Sequence, residues 1–127
     1  MDLKDKAVDI KGKKYVLVSD RVIFFNENYP NGSIETNLLS EVANKNIFMR
    51  ATVTPDTKNP DRKFIGHAQE VVGDGYINKT SALENAETSA VGRALAMMGI
   101  GVIDSIASVD EINKAKNISQ GVKNADL

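Results

Sequence analysis

Cysteine is absent from this chain of 127 residues, and histidine occurs only once, at His67. Without a thiol the chain can form neither a disulfide nor a thiolate metal site, which suits a cytoplasmic setting. One imidazole with scattered carboxylates also argues against a transition-metal site. No run approaches the ~20 apolar residues that a membrane span needs, and the N-terminus lacks the apolar core of a secretory signal. We therefore expect a soluble cytoplasmic protein that contacts no membrane and carries no cofactor.

Catalytic groups are equally scarce. His67 and Glu70 lie three residues apart on a predicted strand, so they point to opposite faces and cannot act as a base and its orienting partner. Gly73 and Gly75 do not open a GxGxxG phosphate loop, because Asn78 stands where the third glycine is required. We expect a protein that is not an enzyme, with His67 as a half-buried, hydrogen-bonded structural residue.

No large excess of charge of either sign is present. The formal net charge of −1 excludes a protein coated in basic residues, such as a nonspecific DNA-compacting factor. Residues 1–63 carry eleven Lys and Arg against nine Asp and Glu, whereas residues 64–127 carry five against eight. A nucleic-acid site must therefore be a local groove.

The length and the apolar content of 42% are those of about one globular domain. We predict a single domain over residues 1–118, in which 1–12 form a loose arm. Residues 119–127 are predicted to be a frayed tail.

The strongest pattern in the chain is a helix over residues 81–101. Ser81 and Glu84 form a capping box at its start, and Gly99 is placed for a left-handed cap at its end. One side carries an apolar stripe that predicts a packed helix, made of Leu83, Ala86, Ala90, Val91, Ala94, Leu95 and Met98. The other side carries small residues that would let a sheet, a second protomer or a nucleic-acid backbone approach closely, namely Asn85, Ser89, Gly92 and Ala96.

The remaining patterns complete an α+β fold. They predict a short strand over 15–18, a helix over 20–28 with Ser19 as its N-cap, a β-hairpin over 34–53 and a third strand over 63–72. Ser108 and Glu111 predict a short C-terminal helix over 109–118. The predicted order is β-α-β-β-β-α plus that short helix, with a three-stranded antiparallel meander packed by the long helix.

Basic residues with aromatics among them are the one functional signal in the residues themselves. Cations that neutralise phosphates and rings that stack bases are how single strands are held. The residues concerned are Lys13, Lys14, Tyr15, Arg21, Phe48, Arg50, Arg62, Lys63, Phe64, Tyr76 and Lys79. A solvated charged surface over core aromatics would give the same pattern.

Three segments resemble bacteriophage single-stranded DNA binding and annealing proteins of the Rad-fifty-two-like (Sak/Erf-type) recombination superfamily. They are YVLVSDRVIFFNENYPNGSIET, FIGHAQE and INKTSALENAETSAVGRALAMMGIG, and together they span about residues 13–103. The resemblance implies ATP-independent annealing of complementary strands, a homo-oligomer in the form of a ring, and phage or host recombination proteins as partners in the host cytoplasm.

The same resemblance implies site residues. Arg21 and Arg93 match the superfamily's DNA-contacting arginines, and we expect them to clamp phosphates. Beyond the resemblance, we expect Lys79, Arg50, Arg62 and Lys63 to extend the phosphate track from the meander. The long helix departs from the relatives by lacking their further basic residues, which thins the lining of the groove.

Two alternatives stay open from the sequence. The first is a passive single-strand DNA-binding protein that protects DNA or loads a recombinase without annealing. The second is an oligomeric protein-interaction module that binds no nucleic acid, which the net charge and the acidic C-terminal half favour.

Overall fold

A three-stranded antiparallel sheet with helices on one face forms the centre of the computed structural model. The structure describes residues 2–41, 44–73, 75–104 and 106. In chain order the elements are a 3₁₀ helix Leu3–Lys6, strands β1 Val8–Ile10 and β2 Lys13–Tyr15, helix α1 Val18–Asn28, strands β3 Ser33–Leu38, β4 Asn46–Thr54 and β5 Phe64–Val71, and helix α2 Gly75–Met97. Within this part of the chain, no helix is both long and apolar enough to cross a membrane.

The three-stranded sheet has the order β3-β4-β5, and its central strand separates two chemical environments. Ile47, Met49, Ala51 and Val53 of β4 are buried, while Phe48 between them is 41% exposed. Successive side chains on a strand alternate between faces, so the buried set lies under the helices and the other set faces outward. We call the outward side the open face, and its side chains are Glu35, Asn37, Phe48, Arg50, Thr52, Ile65, His67 and Gln69.

Helix α2 covers the opposite face and approaches β5 closely. Ala90 and Ala94 are buried at this contact, and a Cβ atom at Gly66 would lie 2.6 Å from the carbonyl oxygen of Ala90 and close to the backbone nitrogen of Ala94. A side chain at residue 66 would therefore push the helix off the sheet. The predicted apolar stripe of the long helix is confirmed at these alanines, but it is wrong at Leu83, which is 41% exposed.

The predicted start of the long helix at Ser81 coincides with a break between two helical segments, and the segment before it was not predicted. Helix α2 begins at Gly75, and its backbone departs from helical geometry at Ser81, where φ is −139° and ψ is 32°. Ser81 therefore lies where the second segment begins, as the capping pattern predicted.

The N-terminal residues 1–12 were predicted to be a loose arm, yet most of them are ordered. Strand β1 pairs antiparallel with β2, with Val8 opposite Tyr15 and Ile10 opposite Lys13. Lys11 and Gly12 connect them with φ of 53° and 85°, as a two-residue hairpin turn of type I′ requires. Leu3 anchors the preceding 3₁₀ helix in the core. The predicted strand over 15–18 is therefore displaced toward the N-terminus.

Helix α1 starts at Val18, with Leu17 and not Ser19 as its capping residue. It crosses α2 at Gly92, where an added Cβ would lie 2.6 Å from Cγ2 of Val18. At this position the stripe of small residues is occupied by α1, so the glycine serves close helix packing within the chain.

The α+β class with antiparallel sheets is confirmed, and the N-terminal hairpin adds a strand to the predicted order. The short helix predicted over 109–118 and the tail over 119–127 lie outside the described residues.

Candidate nucleic-acid interface

Arg21, predicted to clamp a phosphate, is an interior residue of this fold. It is 2% exposed, and its Nε donates a hydrogen bond of 2.9 Å to the carbonyl oxygen of Val16. The guanidinium carbon lies 5.1 Å from the ring centroid of Tyr15, within the range of a cation–π contact. Burial lowers the pKa of Arg21, and the charge of Tyr15 opposes that shift. Because its Nε is bound inside the protein, we assign Arg21 to the fold and not to ligand binding.

Arg93, the second arginine implied by the resemblance, is half-buried on α2 and interacts with another residue of the chain. On the same helix, the carboxylate of Glu87 accepts a hydrogen bond of 2.8 Å from Oγ1 of Thr36 on β3. The exposed charges on the described turns of α2 are Glu84 and Glu87. This part of the helix therefore presents a carboxylate surface.

Lys79 and Tyr76 belong to the first turns of α2, and their side chains lie outside the described part of the structure. Their predicted contacts with a ligand stay predictions.

Lys13 and Lys14 extend from the N-terminal hairpin and are exposed. Nζ of Lys14 lies 3.7 Å from the carboxylate of Asp9, and the backbone N–H of Lys14 donates a hydrogen bond of 2.8 Å to Oδ2 of Asp104. An exposed ion pair of this kind contributes little and is screened by salt, so both lysines are available to a polyanion. Including Lys11, the hairpin carries three cations against one carboxylate.

The loop between β4 and β5 carries the next cluster of cations, which are Lys58, Arg62 and Lys63. All three are exposed, and the guanidinium carbon of Arg62 lies 5.0 Å from the ring centroid of Phe64. Two aspartates share the loop, so its formal charge is +1. The stacked guanidinium is held in a defined orientation, which favours it as a phosphate contact.

Each cluster adjoins an element that lies near the C-terminal half of α2 or the turn beyond it. Gly66 packs against Ala90 and Ala94, which places the start of β5 beside that half of the helix. Just beyond the helix, Gly101 lies beside Val16, next to the hairpin. We refer to the two clusters together as the cationic end, and its residues are Lys13, Lys14, Lys58, Arg62 and Lys63.

Arg50 stands apart from the cationic end, on the open face. It pairs with Asn37 on one side and with His67 on the other. Phe48 follows in the next row of the same face, opposite Gln69. The predicted placement of Phe48 and Arg50 on one strand face is therefore confirmed. His67 is exposed and not half-buried as expected.

No group of three or more His, Asp and Glu side chains that could hold a metal ion occurs among the described residues. The chemistry available at the cationic end and on the open face is that of charge neutralisation, hydrogen bonding and ring stacking.

Comparison with protein families bears directly on these surfaces. The family model described as Slr1353 N-terminal dsRNA-binding domain-like matches residues 23–98. The chain belongs to this family. The match runs from the interior of α1 through the whole three-stranded sheet to the end of α2. No curated protein and no solved structure matches the chain.

Membership of the Slr1353 N-terminal dsRNA-binding domain-like family corrects the resemblance drawn from the sequence. The chain is not identified as a phage annealing protein of the Rad-fifty-two-like superfamily, because the matched family is a different one. The segments that suggested the phage group encode α1, β3, β5 and α2, so they reflect the pattern of packed elements. Arg21, one of the two arginines that carried the functional likeness, is buried.

Sequence reasoning missed the polar partners on the open face. In the strand register, Asn37 lies opposite Arg50 and Gln69 lies opposite Phe48. The period-two pattern indicates which residues share a face, but register between strands is needed to decide which of them are neighbours.

Proposed function

We propose that this chain binds nucleic acid and that double-stranded RNA is its principal ligand. The family match over residues 23–98 is the observation that carries the proposal, because the family is described as dsRNA-binding domain-like. Nucleic-acid binding in general is also what the mixture of cations and aromatic residues indicates. The proposal involves binding only, with no chemical step.

The cationic end supplies the contact surface in this proposal. Duplex RNA is recognised mainly by its shape, its phosphates and its 2′-hydroxyl groups. Lysine and arginine side chains neutralise the phosphates and release counterions, which makes the affinity depend on salt. The described outer surfaces of the helices are poorer candidates for the same role, because their exposed or half-exposed charges are four carboxylates, those of Asp20, Glu27, Glu84 and Glu87, against the one arginine Arg93.

A single nucleic-acid strand is the second candidate ligand. The stacked pair of Arg62 and Phe64 favours it, since a cation beside a ring suits a phosphate next to an unpaired base. Annealing of DNA strands in recombination was implied by the phage resemblance alone and is no part of the proposal.

Binding of a labelled blunt RNA duplex, followed by fluorescence anisotropy across a salt series, tests the proposal. With about four phosphate contacts, the affinity should fall on the order of 100-fold between roughly 50 and 200 mM salt. Replacing both Arg62 and Lys63 with alanine should weaken binding and reduce the slope of log affinity against log salt by about 1.8.

Lys45→Ala is the matched control, because Lys45 is an exposed cation just before β4, outside the cationic end. It should leave the slope unchanged. Preference for a single-stranded oligonucleotide over the duplex would support the second candidate. An absence of binding to duplex and single strand alike at low salt would contradict the proposed function.

A further inference from the structure

The open face holds a feature that the cationic end does not explain. Phe48 lies on the central strand, in the end row of this face, with 41% of its surface exposed, and Leu39 beside it is 50% exposed. Between them and β5 lies a depression of about 280 Å³, lined by Leu39, Phe48, Met49, His67, Ala68 and Gln69. That volume is close to the lower limit of small-ligand sites, roughly 300 Å³.

The backbone of Phe48 is held on both sides. Its N–H donates a hydrogen bond of 3.2 Å to Oγ of Ser40, and its carbonyl oxygen accepts one of 2.8 Å from the N–H of Leu39. Pairing with Gln69 fixes the other side of the strand. An exposed ring on a rigid strand offers a flat surface at little cost in conformational entropy.

The side chains around this ring are suited to a nucleotide. Arg50 lies two residues along β4, about 7 Å away, in a row with Asn37 and His67. A guanidinium binds phosphate, and amide and imidazole groups can form hydrogen bonds with the edges of a base. Unpaired bases stack on aromatic side chains in most sequence-specific RNA sites.

The geometry points to a binding site for an unpaired nucleotide on the open face, in which Phe48 stacks on the base and Arg50 binds the neighbouring phosphate. This site rests on the proposed function and adds a second ligand element to it, a single-stranded segment next to a duplex. The bases of the duplex itself are stacked on one another and cannot use the ring.

The charges on the open face indicate where the unpaired RNA segment would run. Arg50 is the cation within it, and Glu35 lies on β3. Phosphates are repelled from the β3 side, so the segment should run along β4 and β5. A second copy of the chain is a poorer occupant, because a two-fold interface centred on this face would bring Arg50 against its own copy.

Two RNA hairpins of identical stem test the inference, one blunt and one with a short single-stranded tail that contains 2-aminopurine. The wild-type chain should bind the tailed RNA more tightly, and the 2-aminopurine emission should change as the base stacks. Phe48→Leu should lower the affinity for the tailed RNA by roughly 5- to 100-fold, the range expected for the loss of one stacked base. Its affinity for the blunt RNA should not change.

Two further variants control for shape and fold. Phe48→Tyr keeps the ring and should bind the tailed RNA as the wild type does. Ile23→Ala removes an exposed apolar side chain from α1, on the helix side of the domain, and should leave both affinities unchanged.

Equal affinity of Phe48→Leu and wild type for the tailed RNA would overturn the inference, and so would unchanged 2-aminopurine emission in the wild-type complex. If the blunt RNA still binds in the same titrations, duplex binding is supported and only the open-face site is contradicted. Binding of the tailed RNA alone, lost in Phe48→Leu, would support the open-face site while contradicting the duplex as principal ligand. A change of sedimentation in Phe48→Leu without a change of affinity would assign the face to self-association and overturn the inference.

Discussion

The two faces of strand β4 differ in what constrains their side chains, although the residues of the two faces alternate along the same strand. Met49 and Val53 are buried against the helices, while Phe48 and Arg50, on the same strand, face outward. On the covered face each side chain must fit an existing space, because protein interiors are close-packed. On the open face the side chains contact water and the side chains of the two adjacent strands. Their identity is therefore free to match a ligand and need not fill a core.

This contrast explains why an exposed phenylalanine is informative here. Scattered apolar residues on a surface are normal, but Phe48 is accompanied by an arginine and by amide groups in a fixed register. A ring that belonged to the core would have been expected at residue 47 or 49, where the pattern turns inward.

The largest expected effect comes from truncating neighbours on opposite faces. Met49→Ala should lower the free energy of unfolding by about 2–5 kcal/mol, because it leaves a cavity under the helices. Phe48→Ala should lower it by about 1 kcal/mol or less, since much of that ring is already in water. Urea denaturation followed by circular dichroism measures both, and similar losses for the two variants would show that the assignment of faces is wrong.

A second comparison uses adjacent residues of β5. Gly66→Ala places a methyl group against the backbone of α2, and we expect a loss of about 3 kcal/mol, at the top of the usual range for overpacking. Ile65→Ala changes the open face and should cost about 1 kcal/mol or less. The same denaturation measurement applies. A Gly66→Ala variant as stable as the wild type would mean that α2 can move away from the sheet without penalty.

The smallest expected effect distinguishes an interior arginine from a surface one. Arg21→Met should cost about 1–3 kcal/mol of stability, because the carbonyl oxygen of Val16 loses its buried hydrogen bond. Its affinity for duplex RNA at a temperature where it is folded should equal that of the wild type. A weakened affinity and a smaller slope of log affinity against log salt would instead show that Arg21 contacts the RNA, as the phage resemblance had implied.

Local patterns were sufficient to predict the meander. The alternation in residues 33–38, 46–54 and 64–71 is strong, because each strand buries one face only, and α1 was placed within two residues of its start. The N-terminal hairpin was missed since its turn is Lys11-Gly12, and three-residue strands are too short for a periodic signal. The early start of α2 was missed because Ser81 has the sequence features of a first turn.

The candidate site was harder to predict than the fold. Whether an arginine lies inside or outside depends on contacts beyond its own helix, and for Arg21 these are the carbonyl of Val16, five residues earlier, and the turn at Gly101. No pattern within α1 reveals them. The exposed loop cations were identified correctly as surface residues because a polar loop with two prolines cannot be buried. The family predicted from the sequence was wrong, because the segments on which the resemblance rested contain mainly residues of the packed elements and not of a ligand surface.

The turn that follows α2 has a consequence for how the protein is made. Gly101 contacts Val16 and Arg21, and the carboxylate of Asp104 accepts a hydrogen bond from Lys14, ninety residues earlier in the chain. Because the ribosome delivers the N-terminus first, the hairpin, α1 and the sheet emerge before this turn does. The contacts of residues 99–104 with the N-terminal segments can therefore form only after residue 104 has left the exit tunnel.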